Sequence, residues 1–410
     1  MIDWQVAEDP EEFRTFLGEW LEAHAPKSLW NTVSTPFQGH WGGTKTPFPS
    51  EDHEAWYRTC LPLGLTAPAW PARYGGAELP IAHARVWSRE LQERELPLPL
   101  VGFGLVMIGP ILLAEGSEAL KDEHLPKIVR GDIRWCQGYS EPDAGSDLAN
   151  LRCRADLDGD EYVVNGQKIW TSHADQADWI FCLVRTSSEG RKQAGITFLL
   201  IDMNTPGITV RPIELISGAS PFCEVFLEDV RVPVDNVVGD ENRGWGVAKA
   251  LLQHERTVVG ESIAAGGARP PELNDYTLRA HALEAIGLGD DGRLADHGIR
   301  SAIIQSEMDM AVMKLAVRQA NERLKAGQHP GTVSSVLKLA GTELNQRRWE
   351  LAGQIGGLDA AGWDGPEFGP VDKALARHML RSRGNTIEGG TSEVQKNIVA
   401  RAVLKLPKGS

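Results

Sequence analysis

The hydrophobic pattern of this chain changes period twice, and that limits its fold more than anything else in it. Before residue 133 apolar residues recur at helical spacing. Phe13, Phe16, Leu17, Trp20 and Leu21 do so within residues 9–25, and three Ile, Leu and Val faces follow over 81–130. From 133 to about 237 the pattern becomes short strands, as at 162–164, 179–184, 196–201 and 223–227, with Gly, Pro, Asp and Asn between them. The helical period then returns. One long helix is expected from Asp240 to about 268 with Asn242 as its cap. Residues 269–292, with Pro270-Pro271, are less regular. Helical patterns follow near 295–326, 332–355 and 371–383, and a last helix starts after Gly389-Gly390. Long helices joined by short loops read as an antiparallel bundle. The expectation is a multidomain α+β chain: a helical N-terminal domain over 1–131, an all-β domain over 132–239 and a helical bundle over 240–410.

At 410 residues the chain can bury a large core in two or three domains. A net charge of −14 argues against a nucleic-acid partner, which needs a basic surface. It leaves room for a phosphate-bearing ligand, which a few local Arg and Lys can bind. The five cysteines, Cys60, Cys136, Cys153, Cys182 and Cys223, include no CxxC pair and are odd in number, as expected for reduced thiols of a cytoplasmic protein. The start, MIDWQVAEDPEEF, has no basic-then-apolar signal pattern. The uncharged run 96–114 is broken by Pro97, Pro99, Gly102, Gly104 and Pro110, so it suits a buried helix better than a membrane span. The histidines show no paired ligand spacing, and no metal is expected.

Chemistry concentrates in residues 135–181. The run WCQGYSEPDAGSDLANLRCRA is broken at Glu141-Pro142 and again at 144–147, which leaves a loop with free backbone N–H groups and the hydroxyls of Ser140 and Ser146. Such groups bind an anion or the edge of a polar ring. The run VVNGQKIWTSHADQADWIF alternates like a strand and carries Trp170-Thr171-Ser172, an aromatic plane beside two hydroxyls. On residue types alone an ordinary β-hairpin with a polar turn fits these segments as well as a cofactor site does.

The wording of the motifs favours the second. GYSEPDAGSD at 138–147 resembles the first signature of the acyl-CoA dehydrogenase family, and KIWTS at 168–172 resembles its flavin-contact strand at the right separation. WPARYGG at 70–76 and the run from Glu224 to Gly239 also resemble the family, and the likeness covers roughly 61–407. It implies a helical domain, a β-barrel and a C-terminal four-helix bundle, in a homodimer or homotetramer. The implied cofactor is FAD. The implied reaction is α,β-dehydrogenation of an acyl-CoA to the 2-enoyl-CoA, with electrons passed to an electron-transfer flavoprotein.

That reaction needs a carboxylate base in a dry pocket, donors to the thioester oxygen, and a flavin whose redox chemistry is its own. By resemblance, Gln137, Tyr139, Ser140 and Ser146 line the flavin and its pyrophosphate, and Trp170, Thr171 and Ser172 flank the ring. Ser146 also reaches towards the CoA arm, and Thr391 and Glu393 match C-terminal FAD-contact positions. Many members carry the base just before Gly-Thr in a Tyr-Glu-Gly-Thr run. Here Gly389 takes that place, and Glu388 falls one residue early, a step that turns a side chain by about 100° on a helix or to the other face of a strand. Isovaleryl- and long-chain-type members place the base in a Glu-Arg pair on the first bundle helix. Glu255 matches that position, and Arg256 a substrate contact, although a solvated or intrahelical pair also fits these two residues. Where the family often has Arg, Phe and Gln for the adenine end of FAD, Leu288, Asp291 and Gly353 stand instead. Two other readings remain open: a flavin oxidase or monooxygenase of the same fold, and a non-catalytic subunit of a hetero-oligomeric dehydrogenase.

Overall fold

A computed structural model describes residues 9–33, 38–252, 273, 276–325 and 333–407. The chain divides into two compact units, Met1–Ile213 with Pro221–His254, and Glu214–Ser220 with Glu255–Ser410.

The first unit opens on α1 (Pro10–His24). Asp9 accepts a hydrogen bond from Glu12 N at its start, and Pro10 takes a first-turn position where no N–H is needed. Phe13, Leu17, Trp20 and Leu21 are its buried stripe; Phe16 stays exposed. The stripe packs with α2 (Glu51–Cys60) and α3 (Ile81–Glu93), where the rings of Trp20, Trp56 and Trp87 lie 5.8–6.3 Å apart. The uncharged run 96–114 does not form one helix. A π-helical turn, Gly104–Ile108, leads into the short α4 (Gly109–Glu115), and α5 (Glu118–Val129) completes the set. Gly109 is required here because the Trp70 ring occupies the space a Cβ would take.

Seven strands follow: β1 (Trp135–Gly138), β2 (Arg154–Asp158), β3 (Glu161–Ser172), β4 (Trp179–Arg185), β5 (Ile196–Asp202), β6 (Ile208–Ile213) and β7 (Phe222–Pro233). They pair in the order β1-β4-β2-β3-β7-β6, with β5 added on β4. The sheet is curled into a half-barrel, and no ladder joins β6 to β1 among the described residues. β4 runs parallel to β1 and antiparallel to β5. Alternation divides β4 between two cores. Phe181 and Leu183 meet Ile111, Leu112, Leu125 and Ile128 of the helices. Ile180, Cys182 and Val184 meet Val225 and Leu227 of β7. A strand covered on both faces reads as a continuous apolar run, as 179–184 does.

The helix α6 begins at residue 244 and is described to 252, so it starts later than the expected Asp240. Asn242 is not its cap. Asn242 is left-handed (φ 62°), takes a hydrogen bond from Thr186 Oγ1 (2.8 Å) and gives its backbone N–H to Thr197 Oγ1 (2.8 Å).

In the second unit α9 (Val333–Gly356) packs against α7 (Leu278–Ala285), α8 (His297–Lys325), α10 (Pro370–Ser382) and α11 (Ser392–Ile398). Leu273, Tyr276, Ile303, Trp349, Ile355 and Leu375 form its core. α7 lies inside the stretch that reads as irregular in sequence. No helix among the described residues is long and apolar enough to cross a membrane.

Candidate functional site

In the first unit the two motif segments are stitched together. β1 ends at Gly138, where a Cβ would come within 2.6 Å of Ile180 Cδ1. The chain then leaves the sheet, and Ile169 N donates to Ser140 O (2.9 Å). Beneath this contact Lys168, with no exposed side chain, donates to Glu141 Oε1 (2.7 Å) and to Tyr139 O (3.3 Å). Glu141 also accepts from Arg152 N (2.6 Å) and Cys153 N (2.9 Å). One carboxylate thus ties both feet of the 141–153 loop to β3. Burial works against the Lys168 charge, but Cys182, Cys153 and Glu141 outweigh it and hold the pKa above the usual lysine value. At the loop tip Ser146 is exposed, and Lys192 pairs with Asp147.

The loop base and the end of β3 hold most of the expected flavin contacts. Gln137 and Ser140 are half-buried. The β3–β7 register shifts between Lys168 and Thr171, and within that bulge Trp170 is left-handed (φ 60°), a strained conformation for a bulky residue. Its indole is 53% exposed and meets Phe222 edge-on at 6.1 Å. Ser172 is half-buried, and among the described residues no hydrogen bond holds its hydroxyl. Thr171 is fully enclosed, and its Oγ1 has no hydrogen-bond partner there. Tyr139 is placed differently: its ring is buried edge-on to Phe181 and Phe198 at 6.0 and 6.2 Å, so its side chain serves the core beneath the loop.

In the second unit Glu388 accepts from Arg381 Nη2 (2.9 Å) and Asn385 Nδ2 (2.6 Å). Both carboxylate oxygens are therefore engaged by donors, and the group is not a bare carboxylate in a dry pocket. Thr391 Oγ1 accepts from Val394 N (3.2 Å) and caps α11, while Glu393 is exposed in its first turn. Leu288 is exposed in the tight turn where Gly289 N donates to Arg293 O (2.7 Å). Gly353 packs against Met379. Glu255 and Arg256 lie outside the described residues.

Three family models match in succession: acyl-CoA dehydrogenase N-terminal domain over 27–132, middle domain over 136–230 and C-terminal domain over 242–404. The acyl-CoA dehydrogenase IpdE1 of Mycobacterium tuberculosis is 34% identical over 403 residues, which is 98% of this chain and 99% of that protein. The chain belongs to the acyl-CoA dehydrogenase family. It is thus an oxidoreductase of an FAD-dependent flavoprotein family. The acyl-CoA dehydrogenase FadE34 of the same organism is 36% identical over 345 residues, 84% of this chain and 45% of that one. Among solved structures, one described as "Tcur3481-Tcur3483 steroid ACAD" has a TM-score of 0.73 at 27% identity, covering 100% of both chains. The ChsE4-ChsE5 complex from Mycobacterium tuberculosis has a TM-score of 0.71 at 27% identity, with 100% of both chains covered.

The first unit fits a flavin ring. An exposed indole plane and the half-buried Ser140 and Ser172 lie on segments joined by the Ser140–Ile169 bond, and Thr171 Oγ1 is a buried donor without a partner in the described chain. Two features escape the sequence. The Lys168–Glu141 pair is one, because nothing in a sequence links residues 27 apart. The other is Arg134, which is buried, stacks over Trp41 at 4.8 Å and donates to Gln176 Oε1 (2.7 Å).

Proposed function

We propose that this chain catalyses the FAD-dependent α,β-dehydrogenation of an acyl-CoA thioester to the 2-enoyl-CoA, with electrons passed on to an electron-transfer flavoprotein in the cytoplasm. The observation that carries the proposal is the joined pair of motif segments, which sets Ser140, Trp170 and Ser172 on one stapled framework. In this reading Gln137, Ser140, Ser146, Trp170, Thr171 and Ser172 hold FAD, and Thr391 and Glu393 are assigned FAD contacts by their match to the family's C-terminal contact positions. Tyr139 supports the loop from the core. Bound FAD supplies the acceptance of the β-hydrogen. The chain supplies the base, and Glu255 is assigned that role with Arg256 beside the substrate. Support comes from Glu388, whose two oxygens are already taken up by Arg381 and Asn385. The three domains proposed are 1–131, 132–239 and 240–410.

The test begins with a screen of acyl-CoAs against an artificial electron acceptor. One relative is described as a steroid enzyme, which argues for fused-ring acyl groups in the screen beside straight and branched chains. Flavin bleaching by saturating substrate then compares two variants. A placed base contributes about 10²–10⁴-fold, so Glu255→Gln is expected to slow bleaching at least about 100-fold with FAD content unchanged. Glu388→Gln is expected to act far less. The opposite ranking reverses the assignment.

A second reading has its own support. The solved relatives are described as pairs, Tcur3481-Tcur3483 and ChsE4-ChsE5, and Leu288, Asp291 and Gly353 replace three residues the family often uses at the adenine end. This chain would then be one subunit of a two-protein dehydrogenase, colourless or inert when purified alone. A yellow, active protein from single-chain expression rejects it. Fast reoxidation of the reduced protein by air would instead select an oxygen-using enzyme.

A further inference from the structure

A buried ammonium lies against the turn that leads into α11. Lys338, on α9, is 1% exposed, and its Nζ donates to Gly390 O (2.6 Å). Gln395, on α11 and equally buried, brings Nε2 to Gly389 O (3.2 Å) and Gly390 O (3.4 Å). Donors from two helices thus converge on two consecutive carbonyls. Both glycines are left-handed, with φ of 64° and 93°, and a Cβ on Gly390 would lie 2.6 Å from Gln395 Nε2. The turn delivers the chain directly to Thr391.

Lysine is almost never fully buried unless it is paired. Among the described residues the one hydrogen-bond acceptor of the Lys338 ammonium is Gly390 O. Burial lowers its pKa, with Glu388 and Glu393 acting in the other direction. An apolar residue would fill this helix position at less cost. A charge placed there makes sense if the turn has to be held in one conformation, as residues around a ligand site must be.

We propose that Lys338 is a positioning residue for the cofactor: it fixes the Gly389-Gly390 turn, with Gln395, so that Thr391 is presented to FAD. The proposal rests on the assignment of Thr391 as an FAD contact. Lys338 itself does not touch the cofactor. It acts through the Gly390 carbonyl.

The experiment is a titration of FAD into deflavinated full-length protein, reading the Kd and the visible spectrum of the bound flavin, with urea unfolding measured in parallel. Thr391→Val is expected to raise the Kd about tenfold, the size of one hydrogen bond to a ligand. Lys338→Met is expected to do the same and to shift the flavin band. The double variant should bind no worse than Thr391→Val alone, to within about twofold, because the two residues act in series. Additive losses overturn the proposal. So does a Lys338→Met protein with a lower urea midpoint but an unchanged Kd and spectrum, which marks a plain helix staple. If Thr391→Val leaves the Kd unchanged, the Thr391 assignment falls and takes the proposal with it. If Thr391→Val weakens binding and Lys338→Met does not, the proposal alone falls. Should Lys338→Met not fold, Gln395→Met removes the second donor to the same turn and enters the same cycle with the same expected and overturning results.

Discussion

Lys168 has no exposed side chain, and its position is half legible in the sequence. It shares parity with Tyr162 and Val164, the inward residues of β3, so alternation points it into the core. The partner that makes this tolerable, Glu141, comes from the loop motif and is visible only in the fold. Lys168→Met leaves the Glu141 carboxylate buried with only two backbone N–H donors. Removing one member of such a pair costs about 3–5 kcal/mol. The urea midpoint should fall accordingly, and Lys168→Met combined with Glu141→Gln should recover part of the loss. His124 makes a pH prediction. Its ring is fully buried between Trp135 and Trp179, with centroids at 5.3 and 4.6 Å, and burial lowers its pKa to about 4. His40 is likewise held at about 4, again chiefly by burial. The unfolded chain therefore takes up protons at pH values where the native one does not. The contribution of these two rings is fully present above pH ~6.5 and is lost as pH drops towards 4, by up to ~3 kcal/mol for His124. His124→Phe should make the urea-midpoint profile shallower between those limits while the His40 part remains, and an unchanged slope would assign the dependence elsewhere.

Among the elements, those with strong period were readable and those held by tertiary contacts were not. β4, β5 and β7 follow their apolar runs, and α1, α8, α9 and α10 follow theirs to within two residues. β2 and β6 show only one buried residue between them, in patterns eBeee and ieieei, so neither run stands out from a loop. Gly104 opens the π-helical turn where a Cβ would lie 3.0 Å from Ile128 and 3.2 Å from Trp135, and the left-handed Asn242 is held by Thr186 and Thr197, all of them neighbours distant in sequence. At Gly166 (φ 157°) a Cβ would sit 2.7 Å from Cys153 Cα, which is backbone that cannot swing aside. Gly166→Ala should therefore push β3 from the foot of the 141–153 loop and cost about 1–3 kcal/mol, as overpacking does. A variant with parental stability would mean that the strand shifts without strain.

At the scale of the whole molecule, the order helical, β, helical was legible because the period of the apolar residues changes near 133 and 240. The family was legible from linked motifs at 138–147 and 168–172. Glu255 falls outside the described residues, and its assignment as the base rests on its match to the family's Glu-Arg position together with the donors that occupy Glu388. On α8, Ile304, Met308, Val312 and Leu315 are each more than half exposed, at steps of four, four and three residues. That spacing gathers them into one stripe of the helix. A contiguous exposed apolar patch on a soluble protein marks an interaction surface more often than an idle one. The expected occupant is another copy of this chain. Light scattering at micromolar concentration should give a dimer or tetramer, and the charged pair Met308→Lys with Val312→Glu should shift it to smaller species while the helical circular dichroism stays the same. A wild-type chain that is already monomeric would reject self-assembly through α8. If that monomer then took up FAD only with a second dehydrogenase chain present, the two-protein reading would replace it.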